Sequence, residues 1–256
     1  MKPPYPSKIS PTPIVSAAIE IRFDISCPID AVYGLVQHAL KQKFHMSEKL
    51  PVAHIPEDIR VQDNLIDQPH YRLFNNSTPY SILVGPRVFV FVYSKENFDD
   101  TNDYPGWSEF IKQELVELYK TIFALDFIVQ VKRLGIRYGD FFAVPNIFDH
   151  TEFNLLNKDG KRKDTAKTQI VQTIKKDDTF NNIVVSNNST FVMNGRAIQG
   201  SMIDIDTFMG ELDDFMSNYE VYLQKCHEIN KELFFEMLQK EFIDTFNPIY
   251  GDEDAN

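Results

Sequence analysis

The stretch ELDDFMSNYEVYLQKCHEINKELFFEMLQKEFIDTF, residues 211–246, decides how the rest of the chain must fold. Its apolar residues Leu212, Phe215, Met216, Tyr219, Tyr222, Leu223, Cys226, Ile229, Leu233, Met237, Leu238 and Phe242 recur every three or four positions, on one face of an α-helix. Unbroken, it would run roughly 50 Å, longer than a domain is wide. A kink or a fresh helix start is therefore predicted near Ser217 or Asn218, with the end just before Pro248. An apolar face of that length needs a sheet to cover.

The sheet is sought in the residues before it. Thr168–Ile174, Asn182–Val185, Thr190–Met193 and Ile198–Ile205 read as four strands, with turns at Lys176-Asp177-Asp178, Asn187-Asn188 and Asn194-Gly195. Upstream, Phe127–Phe142 is a long β-type stretch in which Gly135 and Gly139 predict a bulge or bend. Alternation puts Ile128, Gln130, Lys132, Leu134, Ile136 and Tyr138 on one side of it, and Val129, Val131, Arg133 and Arg137 on the other.

The N-terminal part follows a similar plan. Prolines at 3, 4, 6, 11 and 13 keep the first dozen residues extended, and from Ile14 to Phe23 apolar and polar residues alternate as in a half-buried strand. Ser26 or Cys27 is a candidate cap for a helix with Pro28 in its first position and Ile29, Val32, Tyr33, Val36, Ala39, Leu40 and Phe44 on its buried face. Residues 47–68 are irregular and are expected to wrap the surface. Tyr71–Phe74, Tyr80–Val84 and Val88–Tyr93 read as a meander, and a second helix after Pro105 carries Trp107, Phe110, Ile111, Leu115, Leu118, Ile122 and Leu125. The expected fold is α+β, with antiparallel sheets in two meanders, a structural pseudo-repeat, and long amphipathic helices covering each sheet. Residues 1–145 form the N-terminal half and 146–256 the C-terminal meander with its helix, within one compact unit.

Composition narrows the function. A net charge of −11 disfavours nucleic acid, whose phosphates need a cationic face to displace counterions. The one dense basic run, Lys158, Lys161, Arg162, Lys163 and Lys167, reads as a solvated loop. Cys27 and Cys226 are too far apart in sequence for a metal pair or a disulfide framework, the N-terminus has no signal-peptide core, and no window reaches the about 18 apolar residues of a membrane span. A reduced cytoplasmic protein without a membrane segment is expected.

No phosphate loop, dinucleotide fingerprint, zincin helix or nucleophile elbow is present, so no cofactor is expected. Asp204-Ile205-Asp206 with Gly210 fails as a calcium loop because the glycine is one place late and Phe208 stands at a ligand position. The acidic loop Asp99, Asp100 and Asp103 reads as solvated, and His38, His45, His54, His70 and His150 have no metal-ligand spacing. One enzyme-like pattern is Asp126 followed by Gln130 and Lys132 on a strand, the arrangement in which some nucleases hold a cation and orient water. A second pattern is a binding surface of Arg133, Arg137 and Tyr138, whose guanidinium forks suit carboxylates or phosphates; the competing reading is that both arginines bond this chain's own acids. His227, beside Glu228 at the edge of the long helix's apolar face, is read as a helix–sheet hydrogen bond.

Three stretches together suggest a family. Pro13-Ile14-Val15-Ser16-Ala17-Ala18-Ile19-Glu20-Ile21-Arg22-Phe23, Arg133-Leu134-Gly135-Ile136-Arg137-Tyr138, and Cys226-His227-Glu228-Ile229 ahead of Phe234 and Phe235 lie in order across nearly the whole chain. They resemble the opening strand, the central strand and the C-terminal helix signature of a sporadically distributed, functionally uncharacterised bacterial family. Gly139-Asp140 departs from its pattern, which has an apolar residue and Asn after the tyrosine. The resemblance implies a patchily inherited bacterial or phage-related gene of the kind found in antiviral defence, toxin–antitoxin or mobile-element accessories, and it brings no catalytic residues. The expected function is a non-enzymatic protein-interaction module with a partner encoded nearby; a homo-oligomer stays open. The alternatives are a metal-dependent nucleic-acid-cleaving enzyme using Asp126, Gln130 and Lys132, and an anion or nucleotide sensor using Arg133 and Arg137.

Overall fold

The computed structural model describes residues 5–62, 65–95, 104–109, 114–153, 167–193 and 195–251. Its strands are β1 (Ile14–Ile25), β2 (Met46–Lys49), β3 (Tyr71–Phe74), β4 (Tyr80–Gly85), β5 (Val88–Ser94), β6 (Ile128–Phe142), β7 (Gln169–Lys176), β8 (Thr179–Met193) and β9 (Arg196–Leu212). They form one nine-stranded sheet in the order β2-β3-β4-β5-β1-β6-β9-β8-β7, and every neighbouring pair is antiparallel.

The expectation of two separate sheets is therefore corrected. β1 and β6 pair with each other from Ile14 with Asp140 to Ile25 with Ile128, and β6 pairs in turn with β9, which joins the two expected meanders. Two sheets would each leave an edge of unpaired N–H and C=O groups here; joining them satisfies both rows at once. From this seam the connectivity is mirrored, with β5-β4-β3 beyond β1 and β9-β8-β7 beyond β6.

The helices are also shorter, and the long ones fewer, than expected. They are α1 (Ile29–Leu40), α2 (Glu57–Gln62), the single turn α3 (Trp107–Glu109), α4 (Val116–Phe123), α5 (Phe215–Met237) and α6 (Lys240–Asp244). Of these only α5, with 23 residues, is long. The predicted kink falls at Asn218, whose φ of −128° is non-helical. Its side-chain amide donates to Asp214 Oδ2 at 2.7 Å, and Tyr222 also donates to that carboxylate, so the first turn folds around Asp214. Pro28 itself is the N-cap of α1, with no side-chain cap bond from Ser26 or Cys27. The acidic loop at 99–103 and the basic run at 158–163 lie outside the described residues.

All the larger helices pack on one face of the sheet. Ile19, Ile21 and Phe23 of β1 with Leu134, Ile136 and Tyr138 of β6 meet Val32 and Val36 of α1 and Leu118 and Ile122 of α4 in one cluster. Ile183, Val185, Ile203 and Ile205 meet Ile229, Leu233 and Phe234 of α5 and Phe242 of α6 in a second. Asn230 of α5 sits at the junction, donating to Ile205 O at 2.9 Å and Thr207 Oγ1 at 3.1 Å, so its buried amide is satisfied. The alternate residues of the central strands lie on the opposite face.

Two strand readings change. Asn187-Asn188 is not a hairpin turn: β8 runs through it with a register shift between Ser186 and Ser189, and Asn188 takes φ 47°. Asparagine tolerates the left-handed region in a bulge as well as in a turn. β9 extends to Leu212, past the start of the helical spacing at residue 211, because Phe208, Met209 and Leu212 pair with β6.

Candidate functional site

The open face of β1, β6 and β9 carries a connected set of ion pairs. Arg133 donates through Nη1 to Glu20 and through Nη2 to Asp206 Oδ2 at 2.8 Å. Glu20 also accepts from Arg22 Nε at 2.7 Å, and Arg137 Nε donates to both oxygens of Asp204 at 2.8 and 3.0 Å. Burial first, then Glu20 and the neighbouring Asp204, push the Asp206 carboxyl up, while Arg133 and Arg137 pull it down.

The two glycines of β6 make this arrangement possible. A Cβ on Gly135 would stand 2.6 Å from Arg133 Nη1, so the guanidinium lies across a position that has no side chain. On its other side Arg133 Cζ is 4.4 Å from the centroid of the Phe208 ring. A Cβ on Gly139 would stand 2.6 Å from Ser16 Oγ. The glycines clear room for side chains from adjacent strands, a need set by tertiary neighbours.

A bulge sets which residues share this face. Between Arg22 and Phe23 the β1–β6 register slips, so Val131 opposes Phe23 in the core while Arg133 opposes Arg22 outside. The alternation read from the sequence is corrected accordingly: Val131 joins Leu134 and Ile136 in the core, and Lys132 turns out to solvent to meet Asp24 at 3.4 Å.

The nuclease pattern does not assemble. Gln130 accepts from Lys132 Nζ at 2.5 Å and donates to Asp213 at 2.8 Å, but Asp126 is exposed in the turn after α4, at φ 55°, and bonds neither. The binding trio also splits. Arg133 and Arg137 bond the chain's own acids, the competing reading of the sequence, while Tyr138 points into the helix-covered face.

There Tyr138 joins a buried polar group in which His227 makes the helix–sheet hydrogen bond read from the sequence. Its hydroxyl lies 3.2 Å from His227 Nδ1 on α5 and 3.3 Å from the Tyr104 hydroxyl. The His227 ring stacks on Trp107, centroids 4.1 Å apart and 4° from parallel, and Trp107 Nε1 donates to Gln224 Oε1 at 2.7 Å. Burial and, less strongly, the Lys231 charge push the imidazole down to about 3, so it is neutral. One signal pointed here: His227 follows Cys226 on the apolar edge of α5. Nothing local announced Tyr104 or Trp107 as its neighbours.

Asp140, next along the helix-covered side of β6, is buried, and burial with the nearby Asp204 charge pushes its carboxyl well above the ordinary 3.8. A raised folded pKa gives stability that is present below the unfolded value and lost as pH rises. Asp140→Asn is therefore expected to raise the urea midpoint at pH 7 and to change it much less below pH ~4, where the carboxyl is protonated in both states.

Among the described residues no group of three His, Cys, Asp or Glu side chains could hold a metal, and no helix is long and apolar enough to cross a membrane. No protein-family model matches the chain, and neither does any curated protein.

Proposed function

We propose that the chain is a non-enzymatic protein-interaction module that docks a partner on the open face of its sheet. The observation that carries this reading is the make-up of that face. At its centre Arg22, Lys132, Arg133 and Arg137 are matched by Glu20, Asp24, Asp204 and Asp206, and exposed apolar residues flank them on the outer strands, Val171 at 66 % and Phe180 at 43 %. Such a surface offers apolar contact with oriented charges, as protein interfaces do. Phosphates would have to displace carboxylates from the arginines, against a chain of net charge −11. The resemblance to the sporadically distributed bacterial family adds the setting: a cytoplasmic defence or toxin-neutralising accessory whose partner is encoded beside it.

The test is expression of the tagged chain together with its neighbouring genes. One neighbour-encoded protein is expected to co-purify in fixed ratio, and to be lost from a variant carrying Val171→Asp and Phe180→Asp whose circular dichroism and melting temperature stay near wild type. A chain that emerges alone, or a complex unaffected by the double substitution, would overturn the reading.

A further inference from the structure

A cavity of about 110 Å³ lies at the end of the β4–β5 hairpin, between the start of α1 and the segment that carries α2. Its lining includes Asp30 and Tyr33 of α1, Glu57 and Arg60 of α2, and His70 and Tyr71 at the start of β3. Tyr33 and Tyr71 stack with centroids 3.7 Å apart and 17° from parallel, giving one flat aromatic wall.

The charges in this lining are unmatched. Arg60 Nη1 lies 3.1 Å from His70 Nδ1, while His70 Nε2 lies 3.3 Å from Leu65 O. A guanidinium only donates, so Nδ1 must be the unprotonated acceptor and Nε2–H the donor to the carbonyl. His70 is thus neutral, and burial with the Arg60 charge pushes its pKa down. Arg60 is held by this bond, yet its Nε is buried with no acceptor. No ion pair joins Asp30 or Glu57 to Arg60 among the described residues.

We infer that this cavity binds a small zwitterion, of the class of a short-side-chain α-amino acid, with its carboxylate on Arg60 and its ammonium on Asp30 and Glu57. With His70 neutral, the lining carries one cation and two anions. A simple anion would face a net negative wall, and a simple cation would leave the Arg60 guanidinium without a counter-charge. A molecule with both groups satisfies both ends. The volume sets the size: a cavity of about 150 Å³ takes one benzene, so a ligand of alanine or serine size fits and a large side chain does not.

Calorimetric titration of the full chain at pH 7 with L-alanine, propionate and ethylamine tests this directly. L-Alanine is expected to bind at least tenfold more tightly than either single-charge probe, and Arg60→Gln is expected to lose at least tenfold of that affinity. Glu57→Gln, on an exposed residue whose carboxylate holds no other group, gives the same readout should the arginine variant fold poorly. Propionate or ethylamine binding as tightly as L-alanine, the absence of any alanine heat at millimolar concentration, or unchanged affinity in a folded Glu57→Gln variant would each overturn the inference.

Discussion

Replacing Arg133 with alanine is expected to lower the unfolding free energy by about 2–3 kcal/mol, less than the ~3–5 kcal/mol for breaking a fully buried pair, because these groups keep some contact with solvent. Side-chain exposures are 22 % for Arg133, 20 % for Glu20 and 23 % for Asp206, so the lost guanidinium leaves Asp206 without its bonded cation in a half-dry setting, while Glu20 keeps Arg22. Urea unfolding should show an earlier midpoint with an unchanged slope. Adding Asp206→Asn to Arg133→Ala should return part of the loss, since the carboxylate left without its bonded cation is then neutral. A loss below about 0.5 kcal/mol, the range of an exposed pair, would mean that the network is screened by solvent and organises nothing.

Acid should weaken the protein through His227 by a comparable amount. Its folded pKa of about 3 lies below the ordinary 6.5, so between those values the unfolded chain binds a proton that the folded chain refuses. Stability then falls as pH drops from about 6.5 toward about 3, by about 2 kcal/mol at pH 5 and about 3 kcal/mol at pH 4. The groups around the ring do not offset this: Tyr104 is pushed further above neutrality by burial, Cys226 is pushed up to about 12, and Lys231 adds positive charge. His227→Phe keeps a ring against Trp107 and leaves the Tyr138 hydroxyl its contact with Tyr104. Its unfolding free energy, measured by urea at pH 7, 5 and 4, should fall less steeply with pH than that of the wild type. Equal slopes in the two proteins would show that the imidazole is protonated in the folded state. Asp140 works in the opposite sense in both proteins, so it leaves the difference between them unchanged.

The open face and the His227 cluster lie on the two sides of the same strand, and the three stretches that suggested a family meet there. Glu20 of the first bonds Arg133 of the second, and Tyr138 of the second meets His227 of the third. Arg137 at 60 % exposure is the most accessible cation of the network, over an Asp204 exposed to 18 %. It is therefore the member of the network most open to a docking protein.

Legibility followed the range of the interaction. The alternation Val15, Ala17, Ile19, Ile21, Phe23 identified β1 and its buried face correctly, and the length of the amphipathic segment anticipated the break at Asn218. Gly135 and Gly139 were marked as special, yet the reason, a guanidinium lying over one and the Ser16 hydroxyl against the other, depends on strands far away in sequence. The slip at Lys132 was invisible because alternation assumes an unbroken register. Asp126 was drawn into a site with Gln130 and Lys132 by nearness in sequence, while Asp24 and Asp213 reach those residues through pairing of distant strands.

By itself, then, the sequence determined the local elements: which segments extend, which coil, and which side of each is apolar, because side-chain periodicity is written residue by residue. Only the tertiary structure decided that the two halves share one sheet, which carboxylate each arginine holds, and which residues surround His227. Those depend on the pairing of β1 with β6 and of β6 with β9, and strand pairing is chosen by satisfying backbone groups and burying faces across the whole chain.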